Sequence, residues 1–190
     1  MKILRALLSA CLLSLAGCMS PTIIDREAPM VVAMKGVRLE TTALVEALLA
    51  QKGTRIQAVG GSYRDEAFQA NCVMKGDGEK LTVVFLTPVM RLATIMVSKP
   101  HALHCETAPQ IPRAFEPEYA LVDLAFVNLP AVTLRRCVEP VLRVEERDGV
   151  RRISASDGTL VAELRTQADG SQAYRNVVFG YEYELSGMTN

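Results

Sequence analysis

His101-x-x-His104-Cys105 is the one cluster in this sequence with the ligand types of a zinc site. Zinc takes imidazole and thiolate ligands, usually four at a time. On a strand, positions 101 and 104 face opposite sides, and no fourth ligand is evident. The expectation is therefore no metal and no cofactor. A nucleophile is equally poorly supplied. Ser62, in Gly60-Gly61-Ser62, lacks the downstream glycine and the strand-to-helix setting of a nucleophile elbow. Gly76-Asp77-Gly78 reads as a hairpin turn, not a phosphate loop. These readings predict a protein that is not an enzyme. Asp123, inside an apolar helix run, reads as a solvent-facing residue or a helix contact to arginine rather than a polar group at a cavity mouth. Arg135-Arg136 and Arg151-Arg152 read as solvated faces.

The thiol with the clearest chemistry is Cys18. Lys2 and Arg5 precede an apolar run from Ala6 to Leu15, and the run ends in Ala16-Gly17-Cys18. A basic start, a short apolar stretch and a small-residue cleavage site are the layout of a secretory signal. The run is too short to cross a bilayer, which takes roughly 20 apolar residues. Leu15-Ala16-Gly17-Cys18 resembles the lipobox of bacterial lipoproteins. That resemblance implies cleavage before Cys18, diacylation of its sulfur and acylation of its amine. In this class an aspartate after the cysteine implies inner-membrane retention, so Met19 implies the outer membrane, with the body facing the periplasm.

The rest of the chain describes one folded domain. With 49% hydrophobic and 22% charged residues it has material for a core. Basic and acidic side chains balance at 21 each, with no basic excess to suggest nucleic acid. Cys11 leaves with the signal and Cys18 carries lipid, so Cys72, Cys105 and Cys137 remain. Three thiols allow at most one intramolecular disulfide, and the spacing does not say which. Residues 1–17 are expected to be the signal, 18–37 the lipidated cysteine and a tether, and 38–190 a single domain.

Thr41–Gln51 has a helical apolar stripe, Leu44, Val45, Leu48 and Leu49, ended by Gly53. Four Asp-Gly pairs, at 77–78, 148–149, 157–158 and 169–170, predict tight turns between antiparallel strands. They divide Phe68–Lys75 from Lys80–Thr87, then Val141–Arg147, Val150–Ala155, Leu160–Thr166 and Ala173–Leu185. Arg55–Val59, Met90–Ser98 and Ala102–Glu106 complete two strand blocks. Between the blocks the period changes. Pro117 opens a helix through Phe126, and Pro130 starts a shorter one to about Val138. In the last strand Val177, Phe179, Tyr181, Tyr183 and Leu185 are expected to share one face. Such a sheet could curl around its own helices or around a ligand.

The order Phe85-Leu86-Thr87-Pro88…Arg91-Leu92, Leu121-x-Asp123-Leu124-x-Phe126, Leu129-Pro130, and then Asn176-Val-Val-Phe-Gly180-Tyr181-x-Tyr183, resembles the small lipoproteins of bacterial aryl-polyene gene clusters. Arg151-Arg152-Ile153 and the Leu160–Leu164 strand extend the likeness, which runs from about residue 40 to 187. The chain has Leu129 where that family usually has Trp, and Val89 where it usually has Gly. The resemblance implies a mainly β fold with helices (α+β), similar to LolA and LolB, the carrier and outer-membrane receptor of lipoproteins. It would be a curved antiparallel half-barrel sheet covering a helical hairpin. It also implies an apolar hollow, with Leu121, Leu124, Phe126, Leu129, Leu160, Leu164, Phe179, Tyr181 and Tyr183 as candidate lining. The implied partners are a membrane lipid anchor, a hydrophobic lipid or polyene ligand, and a periplasmic carrier protein. The competing expectation is an assembly lipoprotein plugged by its own helices, whose surface docks a protein.

Overall fold

The computed structural model of the chain describes residues 20–27, 31–34, 36–63, 66–99, 102–111 and 116–187. Leu15, Ala16, Gly17 and Cys18 lie outside these residues, as do Met19 and His101.

Turn chemistry cuts the chain into strands where the sequence indicates. Asp148 and Gly149 both adopt positive φ, 51° and 75°, the pairing that matches a tight turn to the twist of its strands. They join β9 (Leu142–Arg147) to β10 (Val150–Ala155). At the other three pairs the aspartate side chain closes the turn. Asp77 Oδ1 accepts the N–H groups of Glu79 and Lys80 at 2.8 and 2.7 Å. Asp157 and Asp169 accept those of Thr159 and Ser171 in the same way. These bonds hold the exposed Asp77 and Asp157 carboxyls below the usual aspartate range, and the Ser171 hydroxyl, with its N–H, does the same for Asp169.

The strands form one open antiparallel sheet. β4 (Gly53–Tyr63), β5 (Glu66–Gly76), β6 (Lys80–Leu86), β7 (Arg91–Ser98) and β8 (Ala102–Thr107) make one meander. β9, β10, β11 (Leu160–Thr166), β12 (Gln172–Asn176) and β13 (Tyr181–Gly187) make the other. The blocks join where β13 pairs with β4, from Tyr181 opposite Tyr63 to Gly187 opposite Gln57. An eleventh strand, β1 (Thr22–Arg26), lies outside β8, so part of the expected tether belongs to the sheet. β2 (Val31–Met34) and β3 (Val37–Glu40) pair separately.

Three helices occur among the described residues: α1 (Thr42–Leu49), α2 (Pro117–Asn128) and α3 (Ala131–Val138). α1 packs against both α2 and α3 and against β6 and β7. α2 has no polar face, since every residue from Leu121 to Val127 is buried, as expected of a helix enclosed on all sides. Side chains reach it from across the sheet. Arg26 of β1 bonds Glu118, Arg55 of β4 bonds Asn128, and Arg151 of β10 bonds the Phe126 and Leu129 carbonyls. In a flat sheet β1 and β10 would stand nine strand spacings apart, about 43 Å. From Glu118 to Leu129 the helix measures only about 16 Å. The sheet therefore curls around α2. No described helix is long and apolar enough to cross a membrane.

The last strand is a correction. Ala173–Leu185 is not continuous, because the chain turns between Asn176 and Tyr181. Asn176 Oδ1 accepts the N–H groups of Val178 and Phe179, both at 3.1 Å. Gly180 takes a φ of 70° and donates to the Asn176 carbonyl at 3.0 Å. Val177 and Phe179 thus belong to a turn, not to the face of Tyr181, Tyr183 and Leu185. A register shift between Ile153 and Ser154 similarly turns Leu160 partly outward and buries Val161 beside Ala162 and Leu164.

Candidate functional site

α2 brings one carboxylate into the interior. Asp123 is 7% exposed, with buried apolar neighbours on either side along the helix. No cation among the described residues is paired with it. The Tyr174 hydroxyl and the Asn176 Nδ2 both donate to Asp123 Oδ1, the latter at 3.1 Å. The Tyr181 hydroxyl donates to Oδ2. Asn176 Nδ2 also reaches the Tyr181 hydroxyl at 3.3 Å. One asparagine therefore ties the β12–β13 turn to the carboxylate through its amide and to its own turn through its carbonyl.

Register explains the convergence. Tyr174 lies opposite Tyr183, and Asn176 opposite Tyr181, so these four side chains share the face that meets α2. Burial raises the Asp123 pKa to about 6, with the three donors pulling the other way. Burial, and next the Asp123 charge, push the Tyr174 and Tyr181 hydroxyls well above the usual tyrosine range. They are proton donors across the whole physiological range.

The same tyrosines belong to an aromatic ladder. Phe179, Tyr181 and Tyr183 stack in sequence with centroids 6.2 and 6.3 Å apart and planes tilted 7° and 12°. Tyr183 also meets Tyr174 at 4.9 Å, and Tyr119 of α2 meets Phe179 edge-on at 4.5 Å. The ladder runs from the buried Tyr174 to the partly exposed Phe179.

Family comparison reaches the same segment. The model for "Protein of unknown function (DUF3261)" matches residues 54–188, from β4 to the end of β13. The chain belongs to the DUF3261 family. The matched span contains the carboxylate, its donors and the whole ladder. No curated protein matches the chain.

Among the nine lining residues expected from the sequence, Leu121, Leu124, Phe126, Leu129 and Leu164 are buried within the closed core. Phe179, Tyr181 and Tyr183 come together as the ladder, and Leu160 is half-buried on β11. Asp123 is neither solvent-facing nor paired with arginine, contrary to its sequence reading. Arg151 is no solvated residue either. It is 8% exposed, donates to the Phe126 and Leu129 carbonyls at 2.7 and 2.8 Å, and pairs with Glu146 at 2.8 Å. Its neighbour Arg152 does face solvent, paired with Glu163. Tyr174 and Asn176 were missed as partners of Asp123, because they lie 51 and 53 residues away in sequence.

No cluster of metal-ligand residues occurs among the described residues. His104 instead bonds Asp25 of β1 at 2.6 Å. Cys72, Cys105 and Cys137 are all free thiols. Burial pushes Cys72 up to about 12 and Cys105 up to about 11, so neither is a ready nucleophile.

Proposed function

We propose that the protein is a non-enzymatic lipoprotein of the outer membrane that binds or hands on a hydrophobic chain, a lipid or an acylated or aryl-polyene product. The observation that carries this reading is the aromatic ladder, a stack of ring faces leading from the partly exposed Phe179 to the buried Tyr174 on the side of the sheet that meets α2. The curl suits a half-barrel of the LolA/LolB kind. Transfer works by partition, each buried CH₂ contributing roughly 0.8 kcal/mol. The lining residues already packed in the core, four of them on α2 or at its end, require α2 to shift from the sheet when a chain enters. A periplasmic carrier would deliver or collect the ligand, while the acyl groups on Cys18 keep this domain at the membrane.

Two measurements test the parts separately. Mass spectrometry of the N-terminal peptide from membrane fractions should show a lipidated Cys18. Native mass spectrometry of a soluble chain lacking that cysteine should show a co-purifying or exchangeable lipid. Protein recovered bare, and unable to take up added lipid, would count against a carrier.

The second reading is an assembly lipoprotein that docks a protein partner and holds no ligand. The full burial of Leu121, Phe126 and Leu129 favours it, because α2 already fills the space inside the sheet. Pull-down from membranes with a stable partner, together with lipid-free native spectra, would select it.

A further inference from the structure

β1 is short, yet it is held at three levels. All five of its residues, Thr22 to Arg26, pair with β8. Ile24 packs against the core. Arg26 reaches Glu116 and Glu118 at the start of α2, both at 2.6 Å, and Asp25 bonds His104 at 2.6 Å. Glu118 has a side-chain exposure of only 7%, so releasing Arg26 would leave a buried carboxylate without its cation.

Position in the chain gives this strand a further consequence. Thr22 is four residues beyond Cys18, and four residues span at most about 14 Å. We infer that β1 is a strap that converts the lipid on Cys18 into a fixed mount, holding one end of the sheet against a lipid surface. The inference rests on the lipoprotein reading proposed above. Thr22 lies opposite Thr107, and Thr107 opposite Ala93. The Thr87–Met90 turn between β6 and β7 is therefore at the mounted end, two strand spacings or about 10 Å to the side. The Asp77–Glu79 turn is at the other end of β6, about 20 Å farther from the bilayer. With β1 released, the reach from Cys18 to Val31 grows to about 45 Å, and no end of the sheet is favoured.

The sequence contains no tryptophan, so single-Trp variants report position cleanly. The mature chain, with Cys137→Ser, is coupled through residue 18 to a maleimide lipid in phosphatidylcholine vesicles carrying brominated acyl chains. Val89→Trp should be quenched by the bromines and Glu79→Trp should not. Inserting about 12 Gly/Ser residues before Thr22, which adds on the order of 20 Å, leaves β1 docked and should abolish the quenching. Arg26→Glu should abolish it by releasing the strap. Equal quenching at both positions, or quenching that survives the insert, would overturn the mount. Chemical coupling makes the outcome independent of whether cells lipidate Cys18, which the peptide spectra decide.

Discussion

Asp123 and Glu118 sit five residues apart on α2, both buried, and the fold compensates them by opposite means. Glu118 meets a full positive charge, the Arg26 guanidinium at 2.6 Å, while its Oε2 has no partner among the described residues. Among the described residues Asp123 is paired with no charge, but with two phenols and an amide. A cation brought by the edge strand makes the first arrangement depend on β1 staying docked. Neutral donors on β12 and β13 make the second depend on proton uptake, because hydrogen bonds offset only part of the cost of burying a charge.

The contrast can be broken at each end. The largest effect is expected from Asp123→Leu, which strands the Tyr174 hydroxyl and one N–H of the Asn176 amide in the core. At roughly 1–3 kcal/mol per orphaned group, the loss should be about 4 kcal/mol in urea unfolding at pH 7. Arg26→Ala should cost less, about 2 kcal/mol, because Arg26 is 42% exposed and water partly replaces it. Adding Glu118→Gln to Arg26→Ala should recover most of that loss. A double variant no better than the single would mean that Arg26 acts through packing.

Acid tests the Asp123 arrangement directly, without a large structural change. The folded Asp123 pKa of about 6 lies above its ordinary value of 3.8. The folded state therefore binds the proton first, and this group adds stability as pH falls through 6. The gain between pH 7 and pH 5 is about 1.4 kcal/mol. It should appear as a rise in urea midpoint that is absent in Asp123→Asn. Unchanged pH dependence in that variant would place the titration elsewhere. The smallest effect is expected from Tyr181→Phe, which removes one donor at the partly exposed side of the cluster. It should cost about 1 kcal/mol by thermal unfolding.

The fold was legible where a local signal decides it. The four Asp-Gly turns, the prolines at 117 and 130 and the stripe of α1 each act within a few residues, and their elements lie where the sequence put them. β12 and β13 were fused because no Asp-Gly pair separates them. The signal there was subtler, an asparagine that folds its carbonyl onto its own turn and a glycine four residues on. β1 looks like a tether in sequence because an edge strand of five residues needs β8 to exist at all. Of the site, the ladder tyrosines stood out by alternation. Asp123 did not, since a carboxylate in an apolar run looks the same whether its partner is water or a phenol on a strand 51 residues away.

The pairing of β4 with β13 has a consequence in time. Every other strand pair within the two blocks joins neighbours in sequence, but this one joins residues 57–63 to 181–187. Loop closure over such a span makes it a late event in folding. Until it forms, each block presents a bare strand edge, β4 on one and β12 or β13 on the other, open to pairing with other chains. A nascent chain therefore stays vulnerable until its last strand is made. Truncation before Tyr181 should leave two aggregation-prone half-sheets rather than a smaller version of the domain.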